Sequence, residues 1–399
     1  MLAVFSFFNV LLYFSNAHLY FFDARLTAFK PLYWYITTVI VGTVLIALRQ
    51  GGRFPQSHYL KLIIWAVVFI MMASASFIFI SQASDTNLEV FIKSLEAMTL
   101  LIMFTLFFRD QRVARWATYA VLIVVIFSVF MNYGEFFHLF SKKWEFSFVI
   151  GRAAGLYENP NISGQQLVMG MVLSVFVVPK KLRWWYCLFV ASGVMMTFSR
   201  GAITLWMIAV FGLSWGNVFA LPRKLSLAGL GVGVVLLSVA LASGDWVSGI
   251  KSAGLGSYLN SNTTNRIGES FFDQSDYSAR TRMYVAEKGL DMILEKPVLG
   301  WGVGATNNVD TAIAPHNMFI LLGIEYGIVG ISIFCGLIWL LWRGGNERTG
   351  IIAVLYAVGG LFSHNNLQQP TVILVLALAV AGIGWQRMGN KRVIEERTA

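Results

Sequence analysis

The stretch TAIAPHNMFILLGIEYGIVG, residues 311–330, places His316 between Pro315 and Asn317, directly ahead of a long apolar run. An imidazole titrates near neutral pH and can take a proton from an attacking hydroxyl. Pro315 is a favoured first-turn residue, so the sequence predicts His316 in the first helical turn. Free amides and the positive end of the helix dipole at that position favour anions and a neutral ring. The plainer alternative is an interfacial histidine hydrogen-bonded to backbone. Glu325 lies two to three turns further into the same run, where it reads as a partner within a helix bundle or as a water ligand.

A second group of residues could hold a polyanion. Arg152 in IGRAAGLYENPN, Arg200 in TFSRGA, and Arg280 and Arg282 in SARTR are single arginines beside apolar segments. A guanidinium matches phosphate oxygens through a planar fork, so several facing one cavity would bind a diphosphate. Arg200 is the most telling, because it sits in a hairpin of two or three residues between apolar runs. Charges that close to hydrocarbon are expensive and mark function. For each arginine alone, the alternative is snorkelling or an ion pair with Asp276 or Glu158. Glu89, Lys93 and Glu96 share one helical face by spacing and read first as a structural ion pair. His364 in SHNNLQQP reads as a structural turn residue, and NPN at 159–161 as a turn and helix cap.

These residues must be positioned by elements that belong in lipid. Of 399 residues, 57% are hydrophobic and 13% are charged. Many runs exceed about 17 apolar residues, enough to cross a hydrocarbon core of about 30 Å. Their continuity excludes barrel strands, so the fold class is all-α and polytopic. Twelve spans are expected at 3–22, 32–48, 61–82, 88–108, 114–132, 163–179, 183–198, 201–219, 225–243, 315–342, 350–366 and 370–385. Arg or Lys residues follow every even-numbered span, which puts both termini in the cytoplasm. His316 and the single arginines then face the opposite side. The expected organisation is helices one to nine over 1–243, an outer loop domain over 244–314, helices ten to twelve over 315–385, and a cytoplasmic tail over 386–399.

The outer segment carries eight acidic and six basic residues, so it is no general polyanion trap. Its later part, SARTRMYVAEKGLDMILEKP, has helical spacing, with Met283, Ala286, Leu290, Ile293 and Leu294 on one face. Pro297 stops that helix, and GWGVGATNN turns the chain back. Cys187 and Cys335 fall inside apolar runs and form neither a disulfide framework nor a zinc site. Walker loops and Cys/His clusters are absent. The outer side lacks an Asp-x-Asp pair, and Asp273 with Asp276 is a weak substitute, so metal-independent chemistry without a cofactor is expected.

RAAGLYENPN (152–161), FSRGA (198–202), ARTRMYVAEKGLDMILEKPVLGWGVG (279–304) and HNMFILLGIEYGIVG (316–330) together resemble the O-antigen ligases, a family grouped with O-antigen polymerases and protein O-oligosaccharyltransferases. The last two segments, in this order across one outer loop, are the specific part. The resemblance implies a membrane glycosyltransferase bundle of the GT-C type in the bacterial inner membrane. It implies glycan transfer from undecaprenyl diphosphate to a lipid A-core sugar on the periplasmic side, without metal or nucleotide. By position it puts the family's histidine on His316 and its first arginine on Arg200. The second arginine falls on Arg280 or Arg282, and Arg152 follows more weakly; Asn317, Glu325 and Lys93 are supporting candidates. Polymerase and protein oligosaccharyltransferase remain alternatives within the family. From another class, a lipid-linked glycan flippase or transporter also fits twelve helices, although no internal repeat is found.

Overall fold

The computed structural model describes residues 1–49, 57–81, 84–139, 152–243, 277–308, 315–344, 347–363 and 366–382. Every regular element among them is helical. In order these are α1 (Leu2–Phe14), α2 (Ala17–Asp23), α3 (Pro31–Arg49), α4 (Ser57–Phe79), α5 (Asp85–Phe108), α6 (Gln111–Phe136), α7 (Pro160–Ser174), α8 (Arg183–Met196), α9 (Arg200–Trp215), α10 (Arg223–Ser243), α11 (Tyr277–Glu295), α12 (Met318–Trp342), α13 (Glu347–Gly359) and α14 (Pro370–Gly382). Helix closes every backbone hydrogen bond within the segment, which apolar surroundings require.

Each expected span has a helical counterpart, with α1 and α2 together standing for the first. Among the described residues, α3, α4, α5, α6 and α12 are long and apolar enough to cross a membrane, and a sixth span exists if α1 and α2 count as one. By contrast, α7 and α8 have 15 and 14 residues. At about 1.5 Å per residue they fall short of a core of about 30 Å. A polytopic helical membrane protein is therefore established, while the expected twelve crossings rest for the shorter helices on composition and basic exits. Most of the expected outer loop domain, with NSNTTN, Asp273 and Asp276, lies outside the described residues, as do His364 and the tail.

The chain divides into two compact units. One contains Met1–Phe14, Pro31–Ala120 and Arg280–Ala399. Here α4 packs on α5, where the Phe77 and Phe91 rings stack with centroids 4.4 Å apart. It also packs on α12, where the Trp65 indole donates to the Ile333 carbonyl at 2.8 Å. Leu62, Met98, Leu101, Phe104 and Phe334 are fully enclosed in this unit.

The other unit contains Ser15–Lys30 and Val121–Ala279. In it α7 is buried on nearly every side and packs on α8 and α9. Asn16 tethers α2 to the 152–159 segment by donating to the Leu156 carbonyl at 3.1 Å.

Candidate active site

The α12 entrance differs from the sequence expectation. Asn317 is the cap, and its side-chain oxygen accepts from the Phe319 and Ile320 amides at 2.9 and 3.2 Å. The Met318 amide donates to the Gly360 carbonyl, and that of Leu321 to the Asn317 carbonyl. The helix thus begins at Met318, and His316 stands one residue ahead of the cap rather than in the first turn. All four leading amides are satisfied within the protein, so they do not form the anion cradle that the bare sequence suggests.

What faces His316 instead is charge. The ring is half-buried, and both burial and the neighbouring Arg282 guanidinium hold its pKa below the ordinary histidine value. Each acts against the protonated form. His316 is therefore neutral at pH 7 and able to accept a proton. Arg282 itself is exposed on α11. Arg280 also belongs to α11, but its side chain lies outside the described residues.

α11 is held against α12 by a glycine that hydrophobic spacing does not reveal. A Cβ at Gly289 would strike Ile320, and one at Gly323 would strike Ile293. The inward side is Val285, Ala286, Gly289, Met292 and Ile293. Met283, Leu290 and Leu294 are exposed, which corrects the face expected from apolar spacing. A register set by close backbone approach at glycine displaced one set by side-chain size.

The loop after α11 docks into a break in α12. Gly327 has φ 63° and ψ −151°, so the ladder is interrupted within the helix. The freed carbonyls of Ile324 and Glu325 accept from the Trp301 and Gly302 amides, and the Ile328 amide donates to the Pro297 carbonyl. Glu325 is 3% exposed, and its carboxylate accepts the Gly304 amide at 2.9 Å. The Trp301 indole donates back to the Met292 carbonyl at 2.8 Å, and the Lys296 ammonium lies 3.8 Å from the Trp301 ring centre. GWGVG and GIEYG thus form one docked joint, with Glu325 as its fastener.

Lys93 pairs with Glu89 at 2.7 Å, one turn towards the start of α5, and both side chains are more than half exposed. This is the structural ion pair that spacing suggested, with Glu89 as the partner.

In the other unit, RAAGLYENPN and FSRGA come together. Arg152 is 5% exposed. Its Nε donates to the Thr197 carbonyl and its Nη2 to the Asn161 side chain, both at 2.8 Å. The Ala153 amide donates to the Met196 carbonyl. Arg152 thus ties the segment before α7 to the end of α8. Sequence reasoning missed Glu135 at the end of α6. Its Oε2 accepts the Ala154 and Gly155 amides at 2.8 and 2.7 Å, and Gly155 has φ 58°. Arg200 is the first residue of α9, half-buried and following the cap Ser199. The preceding Phe198 has φ 46°, a left-handed turn that reverses the chain sharply between α8 and α9.

No group of three or more His, Cys, Asp or Glu that could hold a metal occurs among the described residues. Comparisons with curated proteins and with solved structures give no match. A family model described as O-Antigen ligase matches residues 185–335. The match runs from α8 into α12 and includes Arg200, Arg280, Arg282, His316, Asn317 and Glu325, but neither Arg152 nor Lys93. Over these residues the chain is similar to that family.

Proposed function

We propose that the protein is an inverting, metal-independent glycosyltransferase that moves O-antigen glycan from undecaprenyl diphosphate to a sugar hydroxyl of lipid A-core. The observation that carries this reading is a neutral His316 at the entrance of α12, with the Arg282 charge beside it. The bond from the anomeric carbon to the diphosphate oxygen breaks as the acceptor oxygen attacks from the opposite side. The acceptor's proton goes to His316. Negative charge develops on the departing undecaprenyl diphosphate, where Arg282 acts as a fixed counter-charge; Arg200 remains a candidate from the sequence, to be tested by itself. Arg152 is left out of this set because its Nε and Nη2 already bond the Thr197 carbonyl and the Asn161 side chain. The active side is the periplasm and the membrane the bacterial inner membrane, in keeping with the basic residues that follow alternate spans.

The test is transfer by purified protein from a lipid-linked glycan to rough lipopolysaccharide. Product attached to lipid A-core supports the ligase. Longer lipid-linked chains with no lipopolysaccharide product would make the protein a polymerase. His316→Ala should lower transfer by about a hundredfold or more, the usual scale for a general base, with unchanged membrane levels and melting temperature. A wild-type rate from that variant would remove His316 as the base.

A further inference from the structure

A groove of about 730 Å³ opens between the start of α1, the end of α3 and the start of α6, all within one compact unit. Its floor is apolar: Phe7 and Phe8 of α1, and Leu45 and Leu48 of α3. Two amphipathic side chains stand at its rim, Arg112 and Trp116, one turn apart on α6. Trp116 is held edge-on by Phe7, with ring centres 6.1 Å apart. Leu48, Phe8 and Trp116 remain 81%, 62% and 49% exposed.

The rim has unspent charge. The nearest acid in the chain, Asp110, uses Oδ1 to accept the backbone amides of Arg112 and Val113 and so caps α6. The exposed Arg112 guanidinium makes no ion pair or hydrogen bond within the described residues. An apolar trough ending at an arginine and an indole complements one kind of molecule, an amphiphile with an acyl chain and an anionic phosphate headgroup. Basic pockets between helices on the cytoplasmic side hold such headgroups, and Trp favours the same interfacial depth. The exits marked by Arg49, Arg53, Arg109 and Arg115 place this end in the cytoplasmic leaflet.

We propose that this groove is a binding site for an anionic phospholipid of the cytoplasmic leaflet, with Arg112 on the phosphate and the acyl chain along Phe8, Leu45 and Leu48. The site is separate from the transfer chemistry, so it stands or falls independently of the proposed function.

The experiment is native mass spectrometry of the full chain with phosphatidylglycerol and phosphatidylcholine of identical acyl chains. The wild type should retain one phosphatidylglycerol about tenfold or more tightly than phosphatidylcholine, the scale of a charge-assisted hydrogen bond. Arg112→Gln should abolish that preference. Arg115→Gln, which removes an equal charge from outside the groove lining, should keep it. Leu45→Trp should weaken both lipids by filling the trough. If Leu45→Trp fails to fold, the exposed Arg112→Gln decides alone. Equal retention of the two lipids by the wild type would overturn the site. Equal losses in Arg112→Gln and Arg115→Gln would also overturn it, by showing bulk attraction only.

Discussion

At the scale of single residues, burial and one neighbouring charge give His316 its character. Because both lower its pKa, the base form persists below the ordinary histidine value of about 6.5. Transfer should therefore hold its plateau through mildly acidic pH and fall only as His316 becomes protonated. Removing the Arg282 charge in Arg282→Gln lets the pKa rise towards its ordinary value. The acid limb of kcat/KM should then move to higher pH, in addition to a lower plateau. An acid limb that stays in place, or moves down, would show that Arg282 does not act on His316.

Arg200 calls for a different comparison, because lysine snorkels as well as arginine but lacks the planar fork. If Arg200 grips a diphosphate, Arg200→Lys should fold normally and transfer about tenfold or more slowly, with Arg200→Ala slower still. Matched membrane levels and transfer rates of both variants decide the point. Full activity in both would leave Arg200 as a hairpin residue.

At the scale of elements, the joint between the 297–304 loop and α12 carries the most structure. Gly327 combines a positive φ with backbone contact, since a Cβ there would strike the Val298 carbonyl. Gly327→Ala should cost about 1–3 kcal/mol and lower the melting temperature in detergent. Glu325 makes the finer test. Glu325→Gln keeps an oxygen that can accept the Gly304 amide, whereas Glu325→Ala leaves that buried donor unmatched at about 1–3 kcal/mol. The expected order of stability is wild type, then Gln, then Ala, with the pH profile of transfer unchanged in the Gln variant. A shifted profile in Glu325→Gln would mean that the carboxylate takes part in proton transfer. The same joint shows why α11 was misread in sequence. Its apolar spacing was visible, but Gly289 and Gly323 brought the helices together on another face.

At the scale of the whole molecule, the alternation of basic exits makes the sidedness testable. With Cys187 and Cys335 replaced, a cysteine at the exposed Asn307 should react with an impermeant thiol reagent in cells whose outer membrane is permeabilised. A cysteine at the exposed Lys180 should react only after the inner membrane is opened. Reaction of both, or of Lys180 alone, in such cells would overturn the topology and the periplasmic placement of His316.

The sequence by itself determined the helical membrane class, the positions of the helical runs, the sidedness expectation and the family segment. These follow from hydrophobicity, basic flanks and short motifs, all local along the chain. It also singled out His316 and Arg200, and left Arg280 and Arg282 as alternatives, because charged groups are rare beside apolar runs. Tertiary structure alone decided what those motifs do. Whether the α12 amides were open to an anion depended on the distant Gly360 carbonyl, which takes the Met318 amide. What Arg152 holds in place depended on the Thr197 carbonyl and Asn161, which accept two of its donors. Glu135 looked like an ordinary residue at a helix end until the fold brought the Ala154 and Gly155 amides to it. Hydrogen-bond partners are chosen by which groups the fold brings within about 3 Å of each other, and residue type and spacing do not carry that distance.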